Sequence, residues 1–133
     1  MDAIQKICKQ IGESGCYFVC LLHIVGRDDD VIKLYKESVA NGGIKEDCFV
    51  VSPQLVLKTA SGKKFNVKYA GQFYKAEPDE FQILRFERKV TGTTYAHFVV
   101  GDGKGNVVFD PLGDSQTVKY GQLVSQRIIK EVV

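Results

Sequence analysis

The apolar periodicity of this chain changes once, at Gly62, and that change restricts the fold more than any other feature. Before it, apolar residues recur at helical spacing. After it come short runs of β type: FNVKYA, FQILRFERK, YAHFVV, NVVFD and, near the C-terminus, RIIKEVV. Helices first and strands afterwards predict an α+β domain. No repeat, low-complexity tract or Pro/Gly-rich linker divides the sequence. With 44% hydrophobic residues among 133, one sizeable core is expected, and residues 1–133 are read as one domain.

Local signals place the helices. Ser14 can cap a helix beginning at Gly15 or Cys16, which runs through YFVCLLHIV to Gly26 and is apolar almost all round, hence buried. The carboxylates of Asp28–Asp30 suit the start of a second helix, which ends at Asn41-Gly42 and carries one apolar stripe, Val31, Leu34, Tyr35 and Val39. Ser52-Pro53 is a cap followed by proline at the first helical position, and QLVLKTAS leads from it to Gly62. GDGKG, between YAHFVV and NVVFD, predicts a hairpin, because Gly and Asp tolerate the positive φ of tight turns.

Charge excludes more than it identifies. Eighteen Lys+Arg against sixteen Asp+Glu give +2, and no basic run has the density that a nucleic-acid binder needs. The longest apolar runs are too short to span a bilayer, and MDAIQKICKQIGESG lacks the layout of a signal peptide. A cytoplasmic protein with reduced thiols at Cys8, Cys16, Cys20 and Cys48 is therefore expected.

Cysteine catalysis requires a thiolate, a base, a group that orients the base, and donors for the oxyanion. Cys16 sits near a helix N-terminus, where backbone amides and the helix dipole favour a thiolate. Gln10, six residues upstream, could reach back so that its amide joins the Cys16 backbone N–H as an oxyanion hole. His97 lies in YAHFVV, a rigid mount for a base, and Asp110 closes the next strand across the hairpin. Direct opposition of His97 and Asp110 requires Val99 opposite Val108 and Val100 opposite Val107.

These residues resemble a known group. Gln10-IGESG-Cys16-YFV-Cys20-LLHI is similar to the nucleophile motif of papain-like cysteine peptidases, especially the bacteriocin-processing, or double-glycine, branch. HFVVGDGKGNVVFDPLGDS resembles that family's second motif, a strand with the catalytic His, a hairpin, and a strand ending in Asp-Pro. SPQLVLKTASGKKFNVKYA resembles the segment between the two motifs. The resemblance implies a papain-like fold with the nucleophile helix packed on an antiparallel sheet, Cys16 as nucleophile, His97 as base, Asp110 as orienter and Gln10 in the oxyanion hole. It also implies an acyl-enzyme hydrolase of peptide or related amide bonds with no cofactor and no metal. Gly15-Cys16-Tyr17 stands where the family pattern usually has Asp-Cys-Gly, which sets a large ring beside the site.

Other readings stand beside this one. On the same fold, a cell-wall amidase or endopeptidase would take a peptidoglycan-like substrate; a non-catalytic papain-like module would bind or build. Cys16, Cys20 and His23 share a helix face and could contribute to a zinc site, although a hydrogen-bonded core histidine is the commoner role. Cys20 reads as structural, and Cys8 and Cys48 as packing or surface residues. Asp102, Asp114 or Asn106 could replace Asp110; Asp102 reads rather as a turn residue.

Overall fold

A computed structural model describes residues 12–133. Helix α1 (Glu13–Ile24) is followed by a 3₁₀ turn (Asp28–Asp30), α2 (Val31–Ala40) and α3 (Pro53–Ser61). Five strands then come: β1 (Phe65–Gly71), β2 (Glu80–Val90), β3 (Thr93–Gly101), β4 (Val107–Phe109) and, after the short α4 (Gln116–Tyr120), β5 (Gln122–Glu131). They form one antiparallel sheet in the order β1-β5-β2-β3-β4. The fold is α+β, with α1 to α3 before the strands and α4 between β4 and β5. Among the described residues, no helix is long and apolar enough to cross a membrane.

The core explains why α1 is apolar on every side. Phe18, Val19, Leu21 and Leu22 are fully buried and cluster with Leu34 of α2, Val56 and Leu57 of α3, and Phe65, Ile83, Phe98, Val100 and Ile129 of the sheet. Each large aliphatic or aromatic side chain in this cluster contributes about 2 kcal/mol of transfer free energy. α3 begins as its sequence predicts: Ser52 Oγ accepts from Leu55 N at 3.2 Å, and Pro53 is the first helical residue.

The sheet does not alternate buried and exposed residues throughout, because its second face is covered too. Gln82, Ile83 and Leu84 are buried in succession, as are His97 through Gly101. A buried amide pair organises this second face: Gln82 Nε2 donates to Gln126 Oε1 at 2.6 Å, and Gln126 Nε2 donates to the carbonyls of Gly71, Gln72 and Tyr74. Gln82 Oε1 in turn accepts from the amides of Gly103 and Gly105 in the hairpin. Gly101 is needed here, since a Cβ would collide with Gln82 Oε1.

The hairpin forms at GDGKG, with Asp102 Oδ1 accepting from Lys104 N and Asn106 N, so Asp102 is the turn residue. Its register differs from the expected one. Val100 pairs with Phe109 and Gly101 with Val107, leaving Val108 as a bulge residue in place of the Val99–Val108 and Val100–Val107 pairs.

Candidate functional site

The start of α1 is set by a glycine and by a distant charge. Gly12 is the N-cap with φ 69°, in the left-handed region that glycine enters without strain, and no side chain caps the helix. Glu13 then occupies the first helical position, where its carboxylate suits the dipole, and accepts from Arg85 Nε of β2 at 2.8 Å. Ser14 is therefore inside the helix rather than its cap, and the helix begins before Gly15.

This changes the situation of Cys16. An α-helix leaves the amides from the N-cap through the third helical residue without intrahelical acceptors. Cys16 is the fourth residue, and its N–H donates to Gly12 O at 3.3 Å. The expectation that the Cys16 amide is a spare oxyanion donor is corrected accordingly. Gln10 and Cys8 lie outside the described residues. Cys16 is 2% exposed and belongs to the core cluster; Cys20 is wholly buried there.

His97 and Asp110 are brought together: His97 Nε2 and Asp110 Oδ1 are 2.7 Å apart, with side chains 3% and 9% exposed. The bulge makes this possible in an unexpected way. Continuing the Val100–Phe109 pairing by one step sets Asp110 beside Val99, two residues from His97 on the same side of β3. A shift of one residue would turn Asp110 away, whereas a shift of two restores the side, and the pair meets on a diagonal.

Asp110 is also bonded by two backbone amides, Leu112 N to Oδ1 at 2.9 Å and Ser115 N to Oδ2 at 3.1 Å. Burial pushes its carboxyl upward, but the bond to His97, the attraction of that ring and the two amides outweigh burial and hold it below the ordinary 3.8. Asp110 is thus ionised at neutral pH and can only accept. His97 Nε2–H therefore donates to it, and Nδ1 is the ring nitrogen not engaged by Asp110.

Helix and strand approach each other at the neighbours of these residues. Tyr17 stacks on Phe98, with ring centroids 4.7 Å apart and planes at 22°. Burial pushes the Tyr17 hydroxyl up to about 12, partly offset by the Arg127 charge. Asp114 and Asn106 are exposed, and the only carboxylate recorded on His97 among the described residues is Asp110.

His23 is accounted for by local contacts. Its Nδ1 lies 2.9 Å from Asp28 Oδ2, and its ring stacks on Phe109 at 3.8 Å between centroids. Among the described residues, no group of three or more His, Cys, Asp or Glu is placed to hold a metal ion. Cys48 is fully buried with φ 68°, its amide donating to Lys45 O at 2.8 Å.

Arg85 and Arg127 were not anticipated by the motif reading. Their sequence signal was a cation inside an otherwise apolar strand, as in Leu84-Arg85-Phe86. No curated protein and no solved structure matches the chain. The profile of DUF261, described as a protein of unknown function, matches residues 2–131, and the chain belongs to that family.

Proposed function

We propose that this protein is a papain-like thiol hydrolase acting on a peptide or related amide bond. The observation that carries the reading is the His97–Asp110 dyad at 2.7 Å, with Phe98, next to His97, stacked on Tyr17, next to Cys16. The thiol proton passes to His97 Nδ1, Cys16 Sγ attacks the carbonyl carbon, and the imidazolium returns the proton to the leaving amine. Water then cleaves the thioester, with His97 again as base.

Side chains alternate along a strand, so with Phe98 under Tyr17 the His97 ring leaves β3 on the side where Asp110 lies. The reading requires the ring to reach Cys16 around the edge of β3, which β4 pairs only at Val100 and Gly101. The burial of His97 and the three donors on Asp110 favour a second reading, in which the dyad fastens the 110–115 loop of a non-catalytic module.

Alkylation with iodoacetamide at slightly acidic pH separates the two. An ordinary thiol, with a pKa of about 8.5, is mostly protonated there, whereas a thiol paired with His97 is substantially thiolate. Cys16 is expected to label far faster than Cys8, Cys20 and Cys48, and His97→Ala to slow Cys16 alone. Slow labelling of Cys16 that is indifferent to His97→Ala leaves the module and removes the hydrolase.

A further inference from the structure

We propose that the cavity at the start of α1 is a substrate subsite for an acidic side chain, recognised by Arg127; this deepens the hydrolase reading and rests on it for the word substrate. The cavity measures about 310 Å³, near the lower end for ligand sites and large enough for one side chain with its backbone. Tyr17, Phe98, Phe49 and Val50 supply its apolar walls, and Glu13 and Arg127 its charges. Tyr17 follows Cys16 in α1 and Phe98 follows His97 in β3, so the opening is lined by the residues next in sequence to the proposed catalytic pair.

The two arginines here differ in one respect. Arg85 is neutralised, donating to Glu13 at 2.8 Å and also to Glu87. Arg127 donates through Nη1 to Ser125 Oγ at 3.2 Å and to Gln126 O at 3.3 Å, and no carboxylate forms an ion pair with it among the described residues. Its guanidinium lies 4.4 Å from the Tyr69 ring centroid and 5.5 Å from that of Phe98. The two rings flank the guanidinium at cation–π distance, while further N–H donors remain in the fork.

A cation fixed in this way beside an apolar cavity is completed by a carboxylate, which can accept two parallel N–H bonds. The acid within the cavity wall, Glu13, is already committed to Arg85. An uncharged amide of the same shape forms weaker bonds, and a lysine side chain is repelled.

The test uses dye-labelled octapeptides of alanine in which a single Glu, Gln, Leu or Lys is moved through every position. Binding to Cys16→Ala, which cannot turn them over, is read by fluorescence anisotropy, and hydrolysis by the native protein is read in parallel. Glu at one position should bind about tenfold tighter than Gln, the worth of one charge-assisted pair. Arg127→Gln, introduced beside Cys16→Ala, should abolish that difference. Arg127→Lys, which keeps the charge without the fork, should retain part of it and controls for folding. Binding of no peptide, absence of a Glu preference, or a preference unchanged in Arg127→Gln overturns the subsite. A Glu preference dependent on Arg127 without hydrolysis keeps the subsite and removes the hydrolase. Hydrolysis with no such preference does the reverse.

Discussion

Two His–Asp pairs are joined through the adjacent residues Phe109 and Asp110. His97 and Asp110 are 2.7 Å apart with side chains 3% and 9% exposed, while His23 and Asp28 are 2.9 Å apart at 35% and 26%. The contacts are nearly the same in length and differ in what surrounds them. Around His23, water can replace either partner, so the pair competes with hydration and contributes little. Around His97, a lost partner leaves a buried donor with nothing to bond. Similar geometry therefore carries different energies.

The largest expected effect that tests this contrast is Asp110→Ala. It leaves the ring N–H and the amides of Leu112 and Ser115 without their acceptor, at a cost of about 3 kcal/mol in urea unfolding. A loss below about 1 kcal/mol would mean that water enters the site, and the contrast would fail.

Acid titration gives a smaller effect and sharpens the cause. Because Asp110 is held below 3.8 in the folded chain, the unfolded chain binds a proton more readily. The stabilisation is present above pH 3.8 and is lost as pH falls through the lower folded value. The stability difference between the native protein and Asp110→Asn should be constant above about pH 4 and narrow below it. A difference that stays level into stronger acid would show that the carboxylate charge does not stabilise the dyad.

The smallest effect belongs to the exposed pair. Asp28→Ala should cost less than about 1 kcal/mol in the same urea measurement, with the His23–Phe109 stack retained. Equal losses for Asp28→Ala and Asp110→Ala would remove exposure as the deciding variable.

Much of this arrangement was legible before the structure, where the information was local. Ser52-Pro53 specifies the start of α3 because a hydroxyl and a proline act on the next few residues. GDGKG specifies the hairpin because its turn needs only Gly and Asp. His97 and Asp110 were legible as partners because a hairpin brings the ends of its strands together. The route by which they meet was not, since the Val108 bulge is settled by packing on both faces of the strands.

The start of α1 shows the limit most clearly. Ser14 looks like a cap to its immediate neighbours, but Glu13 bonds Arg85, seventy-two positions away, and Gly12 supplies the positive φ that admits the earlier start. Gln82 and Gln126 look like polar strand residues and prove to be a buried joint between a loop and a hairpin. By itself the sequence determined the order of elements, the apolar character of α1 and the residue types available for chemistry, because these follow from backbone propensity and period. Only the tertiary structure decided which amide of α1 is already bonded, which arginine has an acid and which histidine is shielded from water, because each depends on groups that chain folding brings together from far apart.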